Sequence, residues 1–430
     1  MAEKNRHLSI SSPSCFDAVV FFLLLAASPL FLFPSPSRSW ILILLPVLLI
    51  SRKWICGEFF VRTPYDAALF ILIIQIVVSS FLPNTRAESM PKSFGLVFGI
   101  AVLYGLVALC RTEKLLRWGY LLFVFGGGLF GLLSLLTMFR YNVKQMGFLF
   151  KLTSLLPQID LGIPGLEEGL NPNAVGGILV LVLPAAIAVV LFEFFRSGSR
   201  MAFFSPLGDR VVFWGGTFVM GLTLLLTQSR GSWGALAAGL LFFLLQGRRS
   251  RLIGLLLIVL LIGTYFSFLG MDRTGMQLEV TKDRVGLRLD LWGFALETIS
   301  RYPLTGVGMN RIRSHPEVGY TLSHVHNHAL QTAAEMGLPA FVALISLWIS
   351  AFYMAFFIWK RASFSWMKTA ALGLSSGLFA HIVFGLGDSI PLGAKMGVFF
   401  WAALALLAAL FRFCLHVEKT DSFQKRATAK

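Results

Sequence analysis

Apolar runs of roughly twenty residues recur along this chain, each closed by a polar loop. Twelve can be marked, at 16–34, 38–51, 65–82, 93–110, 118–139, 174–195, 211–228, 232–247, 252–270, 328–359, 369–390 and 394–415. A helix needs about 20 mostly apolar residues to cross the hydrocarbon core of a bilayer. The pattern therefore predicts an all-α polytopic membrane protein with about twelve transmembrane helices. A large, partly helical outer loop separates the ninth from the tenth.

Composition changes the picture in one respect. A chain of 430 residues would ordinarily be two or three soluble domains, but 56% hydrophobic and 13% charged residues place its core in lipid. The mean hydropathy of +0.76 agrees. Short cytoplasmic loops should carry the Lys and Arg excess. With the N-terminus inside, Lys4/Arg6, Arg52/Lys53/Arg62, Arg111/Lys114/Arg117, Arg196/Arg200/Arg210, Arg248/Arg249/Arg251, Lys360/Arg361/Lys368 and the tail from Arg412 to Lys430 all fall on one side. The alternation never breaks, which supports an even number of spans with both termini cytoplasmic. The net charge of +16 is then explained by these loops and by anionic inner-leaflet lipid, so no nucleic-acid partner is expected. Cys15, Cys56, Cys110 and Cys414 all lie at the cytoplasmic ends, where thiols stay reduced, and no disulfide framework is implied. The first run follows Lys4 and Arg6 and has the outline of a signal peptide with AAS at 26–28, but cleavage there would spoil the alternation.

Two outer segments are longer than a turn, 140–173 and 271–327, and the second is the largest hydrophilic region. Chemistry is expected on such loops. Within the second, DRVGLRLDLWGFALETIS reads as an amphipathic helix over 283–300, ended before Pro303. Arg284 and Arg288 then share one face as i and i+4. Guanidinium groups pair bidentately with phosphate and never deprotonate, so the two arginines suit a diphosphate; local pairing with Asp283 and Asp290 is the competing structural explanation. Arg230, in TQSRGSWGA, occupies a tight outer turn where a charge near hydrocarbon usually marks a partner or pathway.

Three of the seven histidines crowd into HVHNH at the start of the tenth run. In an extended segment His324, His326 and His328 would project together, a possible zinc geometry with His315 as fourth ligand, but no carboxylate or thiolate stands at a zinc spacing and no metal is expected. Solvated loop histidines are the plain alternative. One histidine acting as a base near neutral pH is the sharper one. Glu335 lies about 13 Å further along the same helix at ~1.5 Å per residue, and a structural role is expected for it. Asp388 and Lys395 flank the last outer turn and are expected to pair with each other. Gly126 to Gly128 read as helix packing.

Four elements in order, NPN at 171–173, TQSRG at 227–231, R-x-x-L-W at 288–292 with PLTGVG at 303–308, and HNHALQTAAEMG at 326–337, resemble the O-antigen ligase and polymerase superfamily of polytopic glycosyltransferases, over about residues 165–405. That resemblance implies a glycan taken from an undecaprenyl-diphosphate donor at the extracytoplasmic face of the cell inner membrane. It also implies a glycolipid or glycan acceptor and no cofactor. Carried over residue by residue, it implies catalytic roles for His326, Arg288 and Arg230, and substrate contacts for Arg284, Asn327, Asn173 and Glu335. The small or Gly-like residue that ligases show three positions after the motif glycine is Ala340 here. The implied reaction is a single inverting displacement without metal, with arginines on the departing diphosphate and His326 on the acceptor hydroxyl. Transfer to a foreign acceptor (ligase) and to another lipid-linked repeat (polymerase) share these parts. On this reading residues 1–270 hold helices one to nine, 271–327 the catalytic loop, 328–415 helices ten to twelve and 416–430 a cytoplasmic tail. A solute or bicarbonate transporter would instead place its ionisable groups near the midplane at broken helices, and a non-catalytic scaffold would leave the outer arginines replaceable.

Overall fold

Every apolar run that falls among the described residues is helical, and no strand occurs among them. The computed structural model describes residues 15–82, 86–138, scattered positions from 149 to 162, 169–195, 208, 210–245, 275–312 and 324–428. The ninth run, 252–270, and His315 lie outside them. Helices α1 (Cys15–Leu32), α2 (Leu44–Cys56, entered through a 3-10 segment Pro36–Ile43), α3 (Asp66–Phe81), α4 (Arg86–Leu109) and α5 (Glu113–Thr137) come first. They are followed by α6 (Pro172–Phe195), α7 (Gly216–Leu226, entered through a π-helical turn Val211–Gly215) and α8 (Arg230–Leu245). The last four are α9 (Gly275–Arg301), α10 (His328–Arg361), α11 (Ser365–Gly385) and α12 (Val398–Thr428). Among the described residues eight helical segments are long and apolar enough to cross a membrane, and Asp66–Ser79, Val211–Leu226 and Arg230–Leu245 are shorter apolar helices.

The centre of the bundle is α6. Its residues from Ile178 to Val189 are buried almost without interruption, as expected of a helix that is apolar on all sides. It packs most extensively on α11, where small residues allow the two backbones to touch: a methyl group on Gly377 would collide with the Leu181 carbonyl, and one on Gly373 would lie 2.9 Å from the Ala185 Cα. The periphery is inverted relative to a soluble protein. Phe70, Ile73 and Val77 of α3, Leu122, Phe125 and Leu129 of α5, and Ile349, Tyr353 and Phe356 of α10 are all exposed on the outer surface.

One end of the bundle collects the basic clusters. Asp17 is buried and bonds Arg52 Nε at 3.0 Å and Arg111 Nη2 at 3.1 Å, joining α1, α2 and the α4–α5 junction. A buried carboxylate is tolerable only when paired in this way. Arg412 donates to the Arg62 carbonyl, and Arg361 pairs with Glu418 at 2.9 Å. All four cysteines are free thiols.

At the other end the N-termini of α6, α8 and α10 meet the C-terminus of α11. Gly176 faces Ser232, Gly177 faces Phe384 and Ile390, and a Cβ on Gly385 would lie 3.1 Å from that of His328. Helix α9 begins earlier than expected, at Gly275, and stops before Pro303 as expected. It docks on α10 through a small core of Ala295, Ile312, Val325 and Ala334, with Trp292, Val307 and Leu330 at its margin.

The tenth helix is broken at Gly337, whose φ of 78° and ψ of 170° are not helical. Pro339 has no N–H to give the Glu335 carbonyl, and the Leu338 N–H leaves Ala334 to bond the Pro303 carbonyl at 2.7 Å. Both abandoned acceptors are taken by the loop after α9: Val307 N donates to Ala334 O at 3.0 Å and Gly308 N to Glu335 O at 2.9 Å. The approach is close enough that a Cβ on Gly306 would strike the Glu335 carbonyl, and one on Gly337 would lie 2.6 Å from the Leu304 carbonyl carbon. Gly57, the cap of α2, also has a left-handed φ, of 80°, but faces open space. Gly57→Ala should therefore cost only the conformational penalty of about 1 kcal/mol. Gly337→Ala carries the same penalty plus a backbone collision, and should lower the melting temperature of the detergent-purified protein clearly further.

Candidate functional site

The histidine segment is not extended. His326 has a φ of 55°, an uncommon left-handed conformation for a residue with a side chain, and this turn separates the three rings. His324 and His326 stay at the bundle surface with ring centroids 4.2 Å apart, whereas His328 turns into the core. There His328 lies 6.1 Å from the Trp348 ring and 6.2 Å from the His381 ring, and is hydrogen-bonded to the Ile390 backbone. His381 in turn bonds the Gly177 carbonyl at 3.1 Å. The expected projection of His324, His326 and His328 on one side is thus corrected: His328 anchors α10 against α11 and α6.

The place expected for His328 is taken by Asp388, in the turn after α11. Its Oδ1 receives His324 Nε2 at 2.9 Å, His326 Nδ1 at 3.2 Å and the Ser389 amide at 2.8 Å. The expected local pairing of Asp388 with Lys395 is corrected accordingly, and the Lys395 ammonium lies over the Phe33 ring at 3.9 Å. Burial raises the Asp388 pKa, but the hydrogen bonds and charges of the two histidines outweigh it and hold the carboxyl below the usual carboxylate range. An ionised carboxylate only accepts. The contacting nitrogens must therefore be N–H donors, which leaves Nε2 of a neutral His326 ring with the free lone pair. With its folded pKa depressed, the stability that Asp388 contributes is complete above about pH 4 and is lost only as the pH falls through the lowered value.

Arg288 reaches the same turn. It is exposed on α9, and its Nη1 lies 3.8 Å from where a Cβ on Gly387 would stand, beside Asp388. Arg284 lies one turn earlier on α9, with its side chain outside the described residues. Arg230 is the first residue of α8 and is exposed. The turn before it is built by Gln228 at a φ of 51°, by the Ser229 amide bonding Thr227 Oγ1 at 3.2 Å and by Ser232 Oγ on Ser229 Oγ at 3.0 Å. A cation in the first turn opposes the helix dipole by about 0.3–1 kcal/mol at an exposed site, so helix stability does not explain Arg230.

The asparagines divide differently. In NPN, Asn171 is the cap of α6, its Oδ1 accepting the Asn173 amide at 2.9 Å, with Pro172 at the first helical position. Asn173 follows on the same rim, half-buried. Asn327 caps α10, accepting the Leu330 amide at 3.0 Å. Glu335 is buried two turns deeper, where Gln331 Nε2 donates to it at 3.2 Å and its own carbonyl holds Gly308. The fold thus brings His326, Asn327 and Arg288 to one spot and puts Arg230 and Asn173 on the neighbouring helix ends, with Glu335 below. The role of Asp388 beside the histidines was missed in favour of a local pair with Lys395; its signal is an acidic residue in the outer turn GLGDS, on the same expected side as the histidines. Three ligand atoms able to hold a metal, from His324, His326 and Asp388, lie within 4.8 Å of one another.

Residues 215–345 match the family model described as O-antigen ligase. The matched segment contains Arg230, Arg284, Arg288, His326, Asn327 and Glu335, and leaves Asn173 and Asp388 outside. No curated protein matches the chain.

Because Asn327 supplies the cap that holds the first turn of α10, Asn327→Ala should destabilise the protein by about 1 kcal/mol and Asn327→Ser by much less. Thermal unfolding of both variants in detergent measures the difference.

Proposed function

We propose, from the match of residues 215–345 to the family model described as O-antigen ligase, that the chain is a ligase-like glycosyltransferase, moving a glycan from an undecaprenyl-diphosphate donor to an acceptor hydroxyl. The match to that family model and the apolar helices support a membrane protein of ligase or polymerase type. The single observation that supports the finer reading is the pairing of His326 Nδ1 with the Asp388 carboxylate beside Arg288.

In this reading Nδ1–H of His326 is held by Asp388 and Nε2 takes the proton of the acceptor hydroxyl. The acceptor oxygen bonds the anomeric carbon as the bond from that carbon to the diphosphate oxygen breaks, and the bonding pair leaves with the diphosphate. Arg288, with Arg230 and Arg284, stabilises that growing negative charge. Asp388 keeps the ring in the required tautomer and stabilises the imidazolium that forms. One displacement inverts the anomeric centre. Asn327 sets the entry of the histidine segment, Asn173 stands on the rim where the sugars would rest, and the buried Glu335 supports that rim from below. The gathering of Arg52, Arg62, Arg111, Arg361 and Arg412 at the opposite end supports an orientation with that end cytoplasmic and the histidines extracytoplasmic, in the cell inner membrane.

Purified protein in liposomes, given a polyprenyl-diphosphate oligosaccharide with and without a separate sugar-bearing lipid, tests the proposal. Wild type should transfer glycan, and His326→Ala should lose about 10²- to 10⁴-fold in rate. Arg288→Ala should also fail, with Arg288→Lys recovering part because it keeps the charge but not the bidentate fork. Asp388→Asn should lower kcat with folding intact. Dependence on the added acceptor separates ligase from polymerase. Donor left unconsumed by wild type under every acceptor condition would reject the reading.

A further inference from the structure

We propose that His324, His326 and Asp388 also form a three-ligand site for a borderline-soft divalent cation of the Zn²⁺ type, and that its occupancy silences His326. The second half rests on the function proposed above; the first does not.

The ligand set comes from geometry that the sequence order conceals. Two imidazole nitrogens and one carboxylate oxygen converge from the segment before α10 and the turn after α11, with separations of 2.9 and 3.2 Å to the shared oxygen. All three ligand atoms lie within 4.8 Å of one another. Bonds of about 2.0–2.1 Å in a tetrahedron put neighbouring ligand atoms roughly 3.3 Å apart, so an ion fits after small ring rotations. The side chains are 21%, 24% and 12% exposed, which leaves an entry path and a fourth position for water. The left-handed backbone at His326 holds its ring on Asp388 instead of letting it follow the strand-like alternation of its neighbours. A set with one carboxylate oxygen and two imidazole nitrogens disfavours hard ions such as Mg²⁺ or Ca²⁺, which need several oxygen ligands. Imidazole lone pairs bind Zn²⁺, Co²⁺ or Cu²⁺ without that requirement.

The consequence follows from the tautomer. With no ion, Nδ1 of His326 carries the proton and Nε2 is free to accept one. An ion on Nδ1 needs that lone pair, so the neutral ring's proton moves to Nε2. The nitrogen required for base catalysis is then blocked, with no change in net proton number and no movement of the backbone.

Equilibrium dialysis of the full-length protein in detergent micelles against Zn²⁺, together with the visible absorption of Co²⁺ as a coordination reporter, tests the site. One ion per chain is expected. Affinity should fall by about tenfold or more in both His324→Ala and Asp388→Asn, and stay unchanged in His416→Ala, which lies on α12 away from the cluster. Asp388→Glu keeps a carboxylate and should retain binding, so the Glu and Asn variants discriminate even if loss of His324 disturbs folding. In the transfer assay Zn²⁺ should slow wild type and the chelator EDTA should restore it, with a smaller ratio between the two conditions in His324→Ala. No ion bound at micromolar metal, or an affinity equal in all variants as for incidental surface binding, overturns the site. Binding without any transfer would keep the metal site and reject the proposed reaction, and transfer without binding would do the reverse.

Discussion

The exchange of backbone hydrogen bonds at the break in α10 is the constraint on which the rest of this end of the molecule depends. A proline at 339 deprives the Glu335 carbonyl of its helical donor, and a left-handed glycine at 337 turns the Leu338 amide away from Ala334. Two carbonyls left bare in an apolar surrounding would each cost on the order of 1–3 kcal/mol. The amides of Val307 and Gly308 meet them, and Pro303 receives the displaced amide. The loop after α9 is thereby fastened to the interior of a membrane helix by main-chain hydrogen bonds, beside the small side-chain core of Ile312 and Val307. Because α9 is fastened with it, the depth at which Arg288 stands relative to His326 is set by this seam.

Charge is distributed around that seam with a clear division of labour. At one end Asp17 pairs with two arginines and ties α1 to α2 and to the α4–α5 junction, a pairing that serves assembly. At the other end a single carboxylate serves two histidines and is itself partly accessible. The two carboxylates differ in what they face: guanidinium groups that cannot release a proton, against imidazoles that can. Only the second arrangement is able to do proton chemistry near neutral pH.

Much of the fold was legible because hydrophobic length is a strong signal in a membrane chain. The described runs became helices, α9 stopped at the expected proline, and Gly126 to Gly128 packed against α12, α6 and α7 as such residues do. The histidine cluster, Arg288 and the capping asparagine could also be found, since their types are distinctive at an outer helix mouth. His328 was misplaced because period-two projection assumes a uniform extended backbone, and the single left-handed residue at 326 breaks it. Asp388 was given the wrong partner because its histidines are more than sixty positions away, while a lysine stood close by in sequence. The seam between PLTGVG and EMGLP left no side-chain signature, for its contacts are made by amides and carbonyls that every residue possesses.

The same seam has a bearing on how such a chain can diverge. Gly308 is tied to Glu335 on one side and His328 is wedged against Gly385 on the other, so both ends of the intervening chain are pinned to one rigid body. For a segment pinned at both ends, doubling its length adds only about 0.6 kcal/mol of closure entropy. Between Ile312 and His324 the chain can therefore change in length with little thermodynamic penalty, whereas Ile312 and Val325 are held by the core and His324, His326 and Asn327 by their hydrogen bonds. Variation confined to that interval would leave His326, Asp388 and Arg288 where they stand.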